Sequence, residues 1–312
     1  MARFEAAGSR MTELLKQSPE AEGLWQALVK SHCCLAVCHW KVGNSGQAEK
    51  TYHGLRKLLV AHAEKNATSP AAAHRLIDAP LLTAATLREA KLPAPALALA
   101  RDSAQICSGF QSFPAHELNG REWLAGAHLR VATLLCQLKD ASSSQLQAEL
   151  TRSIYQSLSR EMPHLPRYFS GLSHAWVRIG KASMEMERAD KAVETFREAV
   201  RAQRTAFDLT PGNSRIRLDL SRCLDRVAWA CGSRQDWAGA AEALLEQEKV
   251  WEHHAKELMD ISRDFRELAK DMGRNSQQLL TEEKKVEQDH YLEESKRLAS
   301  KAESLPNAMG QE

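Results

Sequence analysis

A chain of 312 residues with a formal net charge of +2 is long enough to bury a sizeable core, and so even a charge argues against nucleic acid or an anionic membrane surface as partner. Ala, Leu, Glu, Lys, Arg and Gln dominate while Gly, Pro and aromatics are sparse, a composition that favours helix over strand. The 7 cysteines are odd in number and never in Cys-x-x-Cys spacing, which argues against a disulfide scaffold and for a reducing, cytoplasmic setting. No apolar run has the length of a signal peptide's core or of a membrane span.

The first predicted element is a lone helix over 1–18, stopped at Ser18-Pro19. Residues 20–260 then read as five helical hairpins in one register. The first contains "SHCCLAVCHW", residues 31 to 40, whose Cys34 and Cys38 lie four apart on one helix face. Free cysteine packs as a small apolar residue, whereas zinc needs four convergent ligands and no second pair is present. Packing against the next hairpin is therefore expected, with no metal bound. In the second hairpin Pro80 falls where a packing residue is expected, which predicts a kink or a delayed helix start.

The fourth hairpin is the clearest: "HAWVRIGKASMEMERADKAVETFREAV", residues 174 to 200. Stepping 48 residues from Ala192 reaches Ala48, Ala96, Ser144 and Ala240, all small. The same step from Gly180 reaches Ala36, Ala84, Ala132 and Ala228, and from Phe196 it reaches Tyr52, Ala100, Ala148 and Leu244. Small residues in two phased columns allow two helix backbones to approach at a crossing. Breaks at Ser69-Pro70, Phe113-Pro114, Met162-Pro163 and Thr210-Pro211 separate the units. The same register places Phe4 in the Phe196 column, so helix 1–18 reads as the second helix of an incomplete repeat, either a native cap or the remainder of a longer protein. Residues 261–305 are expected to be charged capping helices, with Leu279, Val286, Leu292 and Leu298 as a thin apolar stripe and Glu293 paired to Arg297. Residues 306–312 are expected to be a disordered tail.

Trp176, Ile179, Gly180, Ala192, Phe196 and Ala199 stand at the spacing W-x-x-L-G…A-x-x-x-F-x-x-A, which resembles a tetratricopeptide repeat. The unit exceeds the usual length of about 34 residues, the surplus being about two extra turns on each helix. Together with the linking phrase "SLSREMPHLPRYFSGLSHA", whose Pro163, Pro166, Arg167, Tyr168 and Leu172 match, this is similar to the long repeats in the C-terminal tails of large modular bacterial serine/threonine protein kinases. The resemblance implies an all-α, tetratricopeptide-like α-solenoid of stacked hairpins in a right-handed superhelix.

No catalytic signature accompanies the repeat. A phosphate-binding loop, a nucleophile elbow and a kinase catalytic loop are all missing, and "WEHHAKE" lacks the paired histidines of a zinc protease. The expectation is a non-enzymatic scaffold without cofactor or metal, binding a protein or peptide segment along its concave face. That face is expected to carry Lys30, Trp40, Lys41, Arg88, His174, Lys181, Arg222 and Trp229, a basic and aromatic set suited to an acidic segment. The alternative is that these are ordinary solvated positions. A second functional reading, implied by the resemblance, is the regulatory tail of a kinase whose catalytic domain lies upstream.

Overall fold

Helix-forming residues punctuated by short turns give only helices among the described residues of the computed structural model, namely 2–18, 21–65, 70–109, 118–275 and 282–305. Helix α1 (Ala2–Gln17) packs on α2 (Glu22–Lys41), which is followed by α3 (Ser45–Lys65). The chain continues as α4 (Pro70–Glu89), α5 (Pro93–Gly109), α6 (Leu118–Gln137), α7 (Ala141–Glu161), α8 (Pro166–Glu185) and α9 (Ala189–Leu209). It ends with α10 (Ser214–Ser233), α11 (Trp237–Val250), α12 (Ala255–Asn275) and α13 (Glu282–Ser304). Helices α2, α4, α6, α8 and α10 begin 48 residues apart, and so do α3, α5, α7, α9 and α11. The protein is all-α, built of tetratricopeptide-like helical hairpins. None of the described helices is long and apolar enough to cross a membrane.

The turn inside each of these hairpins repeats atom for atom. Gly43, Lys91, Lys139, Glu187 and Gln235 have φ of 79°, 62°, 65°, 59° and 59°. In the first hairpin the Asn44 amide donates to the His39 carbonyl and the Gly43 amide to that of Trp40, and the same two bonds recur 48 residues on in each hairpin. This is the Schellman closure, which satisfies carbonyls that a helix end leaves without partners. The following residue caps the next helix where it can: Asn44, Asp140 and Asp236 each accept a backbone amide, from Gln47, Ser143 and Gly239. Four of the five left-handed positions hold a residue with a Cβ, which strains the backbone there.

The small columns are the helix crossings. Ala48, Ala96, Ser144, Ala192 and Ala240 are all at most 1% exposed. Ala36, Ala84 and Ala132 are at 0% and Gly180 is buried, whereas Ala228 is half-buried. The two columns meet directly in α6 and α7, where Ser144 Oγ donates to the Ala132 carbonyl at 2.8 Å. In α8 the Phe196 ring of α9 is pressed against Gly180: a Cβ there would stand 2.5 Å from Phe196 Cε1. Between the hairpins, Met162-Pro163 and Thr210-Pro211 lie in turns, while Ser69 and Phe113-Pro114 lie outside the described residues.

The chain divides into two compact units, Met1–Leu158 and Ser159–Glu312. The first holds two apolar clusters, one around Leu28, Leu55 and Leu59 and one around Ile77, Leu87 and Leu135. The second holds one continuous cluster running from Ala192 through Phe265 to Ala302.

Several local expectations differ from what is found. Pro80 does not delay its helix; α4 starts at Pro70 and runs through Pro80. The buried thiol of the cysteine stretch is Cys33, whose Sγ lies 3.6 Å from the Ala79 carbonyl of α4, while Cys34 and Cys38 are half-buried. Burial pushes the Cys33 thiol up to about 12. The charged C-terminal segment forms α12 and α13, packed on each other. Their apolar seam uses Tyr291 and Leu298, while Val286 is 68% exposed and Leu279 lies outside the described residues. Arg297 pairs with Glu294 and Glu248 rather than Glu293, because Glu248 of α11 offers a bidentate carboxylate and a second cation, Lys301, shares it. The tail expected to be disordered over 306–312 lies outside the described residues.

Candidate partner-binding groove

The eight residues expected on one binding face fall four in each unit. In the first unit Lys30 and Lys41 are exposed on α2, and Trp40 is half-buried against the second apolar cluster. Arg88 of α4 donates to Gln137 Oε1 of α6 at 2.5 Å, so it ties two successive first helices together. Beside it α4 and α6 enclose a groove of about 550 Å³. Leu81, Leu82, Leu129 and Leu134 line it, Leu82 is 46% exposed, and the Arg130–Asp78 ion pair (2.8 Å) spans it.

In the second unit the bases are not free. Asp219 of α10 lies 3.5 Å from His174 Nε2, 3.2 Å from Arg215 Nε and 3.3 Å from Arg222 Nη1. Burial would raise the Asp219 carboxyl, but the hydrogen bonds and charges of His174 and Arg215 outweigh it and hold the group below the usual carboxylate range. Two of the residues expected to bind, His174 and Arg222, thus already face an internal carboxylate. Lys181 is half-buried on α8.

Trp229 stands apart from the rest of the set. The residue is 50% exposed, with the Phe196 ring tilted at 52° to its own (centroids 6.4 Å apart). It lines a cavity of about 650 Å³ enclosed by α10, α11 and α12, whose apolar floor includes Trp237, Leu244 and Leu268. The charged residues of this wall are Asp225, Asp264, Glu267 and Asp271 against the single cation Arg226. Around Trp229 the wall thus carries more acidic than basic groups. Glu267 and Asp271 each keep a base of their own helix, Lys270 at 2.6 Å and Arg274 at 3.4 Å. Asp225 and Asp264 have none within ion-pair distance among the described residues. Burial raises the Asp225 carboxyl despite a hydrogen bond from Gln247, and burial together with Asp225 pushes Asp264 up to about 6.

The acids were missed because they come from two helices, α10 and α12, that are separate in sequence. One signal was legible: Asp264, Glu267 and Asp271 recur three and four apart, which puts them on one helix stripe. Among the described residues no group of three or more His, Cys, Asp or Glu is placed to hold a metal ion.

No family model matches the sequence, and no curated protein matches it. Among solved structures the chain is similar to BtubC from P. vanneervenii, at 15% identity over 80% of this chain and 88% of that one, with a TM-score of 0.49. It is also similar to the S. pombe nuclear import adaptor Nro1, at 11% identity over 94% and 96% of the two chains with a TM-score of 0.36. A third similarity is to the apo form of RapI, at 9% identity over 96% and 93% with a TM-score of 0.37. At such identities and scores these likenesses bear on neither partner nor activity.

Proposed function

We propose that this protein is a non-catalytic protein–protein interaction scaffold that holds a partner segment against the grooves between successive first helices. The observation that carries the reading is Trp229, a large apolar ring left 50% exposed at the wall of a cavity of about 650 Å³. Half-exposed aromatic rings beside such cavities are the usual anchors of a bound segment. Lys30, Trp40, Lys41 and Arg88 in the first unit, and His174, Lys181 and Arg222 in the second, are the further residues assigned to binding. An acidic segment suits the exposed Lys30 and Lys41, but not the wall that Trp229 occupies. The test compares partners retained by the wild type, by Trp229→Gln and by the double reversal Lys181→Glu with Arg222→Glu, helicity being checked by circular dichroism. A groove partner is weakened by about 1–3 kcal/mol in at least one variant. Full retention by both moves the binding surface off the grooves.

A second reading rests on the 48-residue interval between helix starts, which resembles the long repeats of kinase tails. In it the array is the regulatory C-terminal portion of a serine/threonine protein kinase. An in-frame kinase domain in the DNA immediately upstream supports this, and an unrelated upstream gene ends it.

A further inference from the structure

We propose that the occupant of the α10–α11–α12 groove is a lysine- or arginine-rich segment of a partner protein, its side-chain cations placed on the Trp229 ring and between Asp225 and Asp264. This rests on the scaffold reading above and names its ligand chemistry.

Two observations converge on a cationic occupant. The charged residues of the wall are four carboxylates and one guanidinium. Two of those carboxylates, Asp225 of α10 and Asp264 of α12, line the same groove without a cation within ion-pair distance among the described residues. Like charges held together in a half-buried site repel, and an incoming cation removes that repulsion. Next, the half-exposed Trp229 ring carries no stacked cation among the described residues, and an indole face is the best aromatic surface for one. Lysine and arginine side chains are donors only, so they match a wall of carboxylates where an acidic segment does not.

The apolar floor sets the form of the segment. Trp237, Leu244 and Leu268 give the aliphatic stems of lysine or arginine a surface to lie on while the charged heads reach the carboxylates at the rim. The cavity of about 650 Å³ is in the range that accepts a few side chains rather than a whole domain.

The experiment is a fluorescence-anisotropy titration of the full chain with labelled octa-arginine and labelled octaglutamate, repeated on Asp225→Asn/Asp264→Asn and on Trp229→Gln. The two Asn changes keep shape and remove charge, and Trp229→Gln alters a half-exposed position, so all three should fold; helicity is checked for each. Octa-arginine is expected to bind saturably, to lose about 10-fold in the double Asn variant and about 5-fold in Trp229→Gln, and to weaken with salt. Octaglutamate is expected to bind at least about 10-fold more weakly than octa-arginine. No saturable octa-arginine binding at millimolar concentration overturns the inference, and so does binding unchanged in the double Asn variant. Octaglutamate binding that depends on Trp229 leaves the groove as the site and removes the basic segment. If binding of neither peptide responds to Trp229→Gln, the groove reading fails as well.

Discussion

Replacing Gly180 with alanine tests whether the small columns are steric. In a helix interior Gly→Ala normally stabilises by about 1 kcal/mol, because alanine gives up less backbone freedom on folding. At Gly180 the new methyl would stand 2.5, 2.7 and 2.9 Å from Phe196 Cε1, Cδ1 and Cζ. Carbon atoms at rest are about 3.5–4.0 Å apart, so the ring must move by about 1 Å. It has little room, being 0% exposed inside the cluster that also holds Val193, Ala199 and Leu220. Overpacking of this kind costs about 1–3 kcal/mol, which exceeds the propensity gain and leaves a net loss of about 1 kcal/mol. Gly126 in α6 is the control, since nothing lies within 4 Å of a Cβ built there. Gly126→Ala should gain about 1 kcal/mol. Urea titrations followed by far-UV circular dichroism measure both, with Gly180→Ala/Phe196→Leu closing a double-mutant cycle in which the smaller side chain restores part of the loss. If Gly180→Ala gains stability as Gly126→Ala does, Phe196 moves aside freely and the column is not a steric requirement.

At the left-handed turn positions, Lys91→Gly, Lys139→Gly, Glu187→Gly or Gln235→Gly should each stabilise by about 0.5–1 kcal/mol, since about 1–2 kcal/mol of strain is relieved against a smaller gain in unfolded-chain freedom. Gly43→Ala should lose a similar amount in the same urea titration. Asp264 gives a pH signature: its folded value of about 6 lies above the ordinary 3.8, so its contribution is full below about pH 4 and is lost as pH rises through about 6. Asp225 and Arg226 from α10, and Asp260, Arg263 and Glu267 from α12, are the charges around it. Asp264→Asn should therefore stabilise by about 1–2 kcal/mol near pH 8, after allowance for solvent screening, and by almost nothing near pH 4. Thiol labelling of the native protein should reach Cys34 and Cys38 well before Cys33, whose burial keeps it protonated; labelling of Cys33 at an equal rate would contradict its place against α4.

The hairpin array was legible in the sequence because its causes are local and periodic. A helix crossing admits only small side chains, so Ala192 and its equivalents mark every crossing, and proline marks the turns at Met162-Pro163 and Thr210-Pro211. Other features left no such mark in the sequence, some of them local and some decided by neighbours distant in the chain. Lys91, Lys139, Glu187 and Gln235 carry no glycine signal, yet the two bonds of the Schellman closure hold each in the left-handed region. Pro80 reads as a helix breaker, but α4 is packed against α2, α5 and α6, and that burial outweighs the lost backbone bond. The binding face shows the limit most clearly. Which cations are free depends on where a carboxylate from another turn or helix comes to rest: Asp219 takes His174 and Arg222, while Asp225 and Asp264 meet beside Trp229 without a cation. Helix periodicity fixes which residues share a stripe, but only the packing of α10 and α12 on α11 decides which stripes line one groove and what charge it carries.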